Sequence, residues 1–130
     1  MGTQLVTVIG FAYTAIGVGF AWPTAHVQVW RLGAWLLSAA IYGAHILYER
    51  FGARNTPGSA AVHVGMAAAL GAFGLAVAAN IHSLSVAASD RQRRLLLLAL
   101  VVWPILTGLP ASVVAWVLSG ILGRVSFNRR

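Results

Sequence analysis

"LLLLALVVWPILTGLPASVVAWVLSGILG", residues 95–123, decides the fold. The run holds no charged residue. It is longer than the roughly 20 apolar residues a helix needs to cross a hydrocarbon core. In lipid, a backbone must satisfy its own N–H and C=O groups, so the run is expected as a transmembrane α-helix. The rest of the chain agrees. Its 130 residues are 59% hydrophobic and only 8% charged, where a soluble domain carries about 25% charged residues. Mean hydropathy is +0.82. A soluble protein this apolar would expose patches large enough to aggregate.

Three more segments extend the pattern toward the N-terminus: about residues 3–22, 32–48 and 60–86. The first ends at Pro23. It has no basic segment before it, and its apolar stretch exceeds that of a signal peptide. It is therefore expected to stay in the mature protein. The connections are short: "PTAHVQVWR", "ERFGARNTPGS" and "ASDRQRR". The last two carry the Gly, Pro, Asn, Asp and Ser of turns. Short connections make neighbours antiparallel. The expected fold is all-α: a single domain over residues 1–130, an integral membrane four-transmembrane-helix bundle running up-down-up-down. Trp22, Trp30 and Trp35 fit an interfacial aromatic belt at the first connection. In the fourth span Pro104 and Pro110 each remove a helix hydrogen bond. A kinked, tilted helix is expected there, with two half-helices as the alternative.

At about 100° per residue, each span shows a seam of small or polar residues. Thr3, Thr7, Gly10, Thr14, Gly17 and Ala21 share one face of the first. Arg31, Ala34, Ser38, Tyr42, His45 and Glu49 share one face of the second. Ala60, His63, Ala67, Gly71, Gly74, Ala78, His82 and Ser85 do so in the third. Pro104, Gly108, Ser112, Ala115, Ser119 and Gly123 do so in the fourth. Lipid tails are as apolar as Leu, so membrane helices associate through close backbone approach and polar bridges. The seams should point inward or toward a partner subunit.

One end gathers a distinctive set of polar residues. His45 precedes the second connection and His63 follows it, so both belong near one membrane face on adjacent helices. Tyr42 and Glu49 flank His45 on its own face. These four form a candidate polar cluster. It has three readings: a network pinning helices together, a path for protons or ions, or a ligand site. A ligand site would mean two imidazoles on haem b iron, or His45, His63 and Glu49 on a metal. Alternatively, Glu49 sits in water, paired with Arg50 or Arg54. His26 and His82 make a looser, secondary pair toward the opposite side.

Composition excludes other chemistry. Without cysteine there is no disulfide and no thiolate site. No carboxylate lies within a span, no Gly-rich phosphate loop is present, and no paired carboxylates suit hydrolysis. An enzyme is not expected. The net charge of +7 comes from nine Arg. It belongs at lipid headgroups rather than on nucleic acid. Arg without Lys, beside abundant Ala and Gly, suggests a GC-rich bacterial genome and hence a bacterial inner (plasma) membrane.

With the N-terminus inside, Arg50, Arg54, Arg124, Arg129 and Arg130 lie inside, and Arg31, Arg91, Arg93 and Arg94 outside. This near-balance permits two orientations or dictation by a partner. Length, span number and weak bias are similar to those of small dual-topology exporters and fluoride channels. The exporters' mid-helix Glu is absent from the first span, and the channels' Gly/Arg and Phe/Thr/Ser motifs are absent too, so no family follows. The functional expectation is a non-enzymatic membrane subunit in a homo-oligomer or larger assembly. The alternatives are a small oligomeric channel or transporter for an ion or small solute, and a His-ligated haem or metal protein.

Overall fold

A computed structural model describes residues 2–21, 25–85 and 89–127. The described residues are helical, with no strand. α1 spans Gly2–Ala21, α2 Val27–Leu47, α3 Pro57–Leu84 and α4 Asp90–Phe127. α2 continues into a π-helical turn, Tyr48–Gly52. α1, α3 and α4 are long and apolar enough to cross a membrane. α2 is not among them. It carries Gln28, Arg31, Tyr42 and His45 among its 21 residues, and each lowers its hydropathy.

The helix starts follow local chemistry. Thr56 caps α3 by accepting a hydrogen bond from the Ser59 N–H. Pro57 follows at the first helical position, where a missing N–H costs nothing. α2 begins earlier than expected, inside the first connection, so Trp30 and Arg31 are helical. α4 starts at Asp90, whose carboxylate suits the positive end of the helix dipole. It then runs unbroken through Pro104 and Pro110, so it is not two half-helices.

α3 is the central helix. It packs most extensively on α4, then on α1, and among the described residues α1 and α4 do not meet. α1 and α4 therefore do not close the bundle in chain order. Its connectivity does alternate. Gly2 lies beside His63, Gly10 beside Leu70 and Gly17 beside Leu75, so α1 and α3 run in the same direction. Asn80 reaches the Leu96 carbonyl while Gly65 meets Gly108, so α4 runs opposite to α3.

The small residues explain why α3 can serve two neighbours. Toward α1, Gly71 and Gly74 admit Tyr13 and Thr14, and Thr14 donates to the Gly71 carbonyl at 3.3 Å. Toward α4, a Cβ on Gly65 would run into the Ser112 hydroxyl and approach the Gly108 carbonyl at 3.0 Å. A Cβ on Gly108 would meet that of Ala69 at 2.9 Å. Backbones this close gain dispersion contacts that lipid cannot supply. The seams of Gly10, Thr14 and Gly17, of Gly71 and Gly74, and of Gly108, Ser112, Ala115 and Ser119 thus do face partners. Thr3, Thr7, Arg31, His82 and Ser85 stay exposed. α3 also has a second buried face outside its expected seam, carrying Ala61, Val64, Gly65, Ala72 and Ala76.

α2 is held differently. Near its start, Trp30 meets Phe20 edge-to-face with ring centroids 5.6 Å apart. At its end, Ile46 joins Ala61, Val64 and Ala115 in a small apolar cluster beside Tyr42 and Leu122. Between these anchors Trp35 is 77% exposed, and Leu36 and Leu37 are exposed as well. Trp22 and Pro23 lie outside the described residues, so the aromatic belt is described only at Trp30 and Trp35, both exposed.

Candidate functional site

The polar cluster is built where α2 stops. Tyr42, His45 and Glu49 fall on one helical face at spacings of three and four. The helix then widens into the π turn, with the Ala53 N–H donating to the Tyr48 carbonyl at 2.8 Å. Such one-turn irregularities recur at functional positions. Arg54 closes the turn at φ 54°, a left-handed conformation costly for any residue with a Cβ. That turn brings Asn55 back onto Glu49 twice. Its backbone N–H donates to the Glu49 carbonyl at 2.8 Å. Its side-chain Nδ2 donates to Glu49 Oε2 at 2.5 Å.

Glu49 is 1% exposed. A lone carboxylate at such a place would be severely penalised. Its two oxygens face two imidazoles. His63 Nδ1 lies 3.0 Å from Oε2. His45 Nε2 lies 3.5 Å from Oε1, within ion-pair range but without forming a hydrogen bond. His45 is 2% exposed, and among the described residues neither of its ring nitrogens has a hydrogen-bond partner. The His63 side chain keeps 27% exposure, and its Cε1–Nε2 edge lies against Gly2 at the start of α1. Burial pushes the Glu49 carboxyl up. The hydrogen bonds from Asn55 and His63 and the fields of His63 and His45 outweigh that, and hold it below its ordinary range.

Arg50 does not pair with Glu49. Its Nε donates to the Ser119 carbonyl at 3.0 Å and its Nη1 to the Asn55 carbonyl. It therefore clamps α2 to α4 and to the turn. Gly123 leaves room for the guanidinium, since a Cβ there would crowd Nη2. Tyr42 belongs to the same clamp. Its hydroxyl donates to the Ala111 carbonyl at 2.6 Å on α4, away from the carboxylate.

The structure thus brings His45, Glu49 and His63 together, with Tyr42 one turn deeper. His26 and His82 are exposed, and no hydrogen bond or ion pair joins them; His26 sits at φ 54° just before α2. Sequence reasoning missed Asn55 and Gly2; it placed Ser119 on an inward seam but not against Arg50. Asn55 had one usable signal, its place directly before the Thr-Pro helix start. Gly2 had none, because its role depends on which helices adjoin.

The residues present do not fit haem. Both imidazoles are turned onto the same carboxylate, which leaves no slot between them for a macrocycle. The groove of about 340 Å³ between α3 and α4, lined by Val62, Met66, Ile105 and Leu109 among others, contains no histidine. For a metal, no group of three or more His, Cys, Asp or Glu among the described residues is arranged to hold an ion. The chain matches no family model, no curated protein and no solved structure.

Proposed function

We propose that the protein crosses a bacterial inner membrane four times and acts as a non-enzymatic subunit of a membrane assembly. The parallel course of α1 and α3 supports four crossings. If both span, the chain between them must return, and only α2 can bring it back. Its 21 residues reach about 32 Å at 1.5 Å each, close to the hydrocarbon thickness. Its polar residues then lie at its ends or against other helices. In this setting α4 bends at Pro104 and Pro110, because the carbonyls of Leu100 and Leu106 lose their helical donors.

One observation carries the subunit reading: among the described residues, one flank in the middle of α2 is left open. Trp35, Leu36 and Leu37 are exposed, and the neighbouring flank offers Ala39, Ala40 and Ala44. Small residues beside bulky ones suit a second membrane helix. Native mass spectrometry from nanodiscs tests this. A homo-oligomer or a complex with another membrane chain is expected. A single-chain mass under every mild condition overturns it.

The second reading, a small channel or transporter, is favoured by His45, buried at the end of α2 beside the Glu49 carboxylate, since ionisable groups within a span often mark routes. Flux through protein reconstituted alone in liposomes, altered by His63→Ala, supports it. Liposomes that stay tight exclude it.

A further inference from the structure

We propose that His63, Glu49 and His45 form a proton relay that carries protons between the solution at the α2–α3 turn and a buried acceptor, His45. Three features point to protons rather than to a larger ligand. The groups are already in contact or nearly so, at 3.0 and 3.5 Å, with no space between them for an ion. They are ordered by access: His63 is partly exposed, Glu49 and His45 are not. And each imidazole shows one nitrogen to the carboxylate and the other away from it. His63 uses Nδ1 and keeps Nε2 at the open edge beside Gly2. His45 uses Nε2, and its Nδ1 is buried without a partner.

A network built only to pin helices leaves such an atom unexplained, because an unpaired buried nitrogen weakens the fold. Pinning is in any case achieved nearby. Arg50 and Tyr42 bind carbonyls of α4, and Asn55 holds Glu49 in place.

The transfer balances without a co-reactant. A proton from water binds His63 Nε2, and the proton on Nδ1 leaves for Glu49 Oε2. Rotation of the protonated carboxyl group about Cγ–Cδ, which releases the Asn55 amide, carries it to His45 Nε2. His45 then holds both ring protons as the imidazolium, and the Glu49 carboxylate is restored. No electron moves, and reversal empties the relay. The groups facing it are few: Arg50 turns to Ser119, α4 presents that carbonyl, and α1 presents Gly2. The relay concerns one end of the molecule and does not depend on conduction across it.

The test reads protonation locally. Protein with 15N-labelled histidine, in lipid vesicles, is followed by NMR over about pH 5–8, where imidazole ordinarily changes charge. His45 is expected to titrate reversibly despite its burial. In His63→Phe, exchange of the His45 ring proton with water is expected to slow about 100-fold, a modest figure for loss of a positioned proton carrier. Glu49→Gln should slow it likewise, since an amide keeps the shape but cannot pass a proton on. A His45 that holds one protonation state throughout overturns the proposal. So does an unchanged exchange rate in His63→Phe. The wild-type titration needs no variant, so it decides even where a variant folds poorly. Flux in liposomes and the oligomeric mass are separate measurements, and their outcomes leave this one standing.

Discussion

α3 and α2 lie in the same molecule and are held by opposite means. α3 touches neighbours along nearly its whole length, through glycine and alanine on two faces. α2 is fastened at its ends, by an aromatic contact at one and by polar side chains at the other. The difference follows from where each kind of contact works. Backbone approach needs only missing side chains, and it can repeat every turn. A buried polar bridge needs several groups satisfied together. It is therefore local, and here it sits at the helix end.

The sharpest way to break the α3 side of this contrast is Gly65→Val. The added carbons would push into the Ser112 hydroxyl and the Gly108 backbone. Neither is the far end of a flexible side chain. A loss of about 3 kcal/mol is expected, at the upper end of ordinary overpacking, with α4 separating from α3. Thermal unfolding in detergent measures it. A variant as stable as wild type would show that α3 and α4 do not approach here.

The α2 side should break next most severely with Glu49→Ala. It removes the acceptor for Asn55 and His63 and leaves both donors unpaired, which costs about 2 kcal/mol. Glu49 also gives a dependence on pH. Its carboxyl lies beyond the end of the α2 span and is held below the ordinary glutamate range. Stability from the carboxylate is therefore present above the unfolded pKa, and it is lost as pH falls through the lower folded one. Burial raises it, and the Asn55 and His63 hydrogen bonds and the fields of His63 and His45 outweigh that burial. The wild-type melting temperature should fall more steeply on acidification than that of Glu49→Gln. Parallel curves would mean that the carboxylate is not specially held.

These two sites differ in how far the sequence reveals them. The helices are legible because runs such as residues 95–123 admit little else. The Glu49 cluster is partly legible, because Tyr42, His45 and Glu49 repeat at helical spacing and His63 follows a short turn. What stayed hidden depends on partners. A wheel assigns one seam per helix, yet α3 has two, because it lies between α1 and α4. Arg50 reads as a partner for Glu49 by adjacency, and the π turn sends it to Ser119 instead. α2 reads as a fourth packed helix from its apolar content, yet Trp35, Leu36 and Leu37 leave one flank of its middle open.

Tyr42→Phe is a milder probe of the same end. It deletes only the hydroxyl that donates to Ala111 and keeps the ring against the Ile46 cluster. About 1 kcal/mol should be lost. Because the Glu49 contacts are untouched, the acid sensitivity should match wild type. If acid sensitivity changes along with stability, the clamp and the carboxylate cluster are one unit rather than two.

The smallest expected effect, on the isolated chain, separates the two helices most cleanly. Trp35→Ala removes a large side chain from the open flank of α2. Were Trp35 buried as the α3 residues are, the loss would be about 3–5 kcal/mol. Being exposed, it should change monomer stability by less than about 0.5 kcal/mol, as surface substitutions usually do. In the assembled state the same side chain should matter, so the oligomer or complex should dissociate at lower detergent concentration. Equal, near-zero effects in both states would mean that lipid alone covers this flank. A large effect in the monomer would mean that α2 lies against the other helices along its whole length, and the contrast with α3 would vanish.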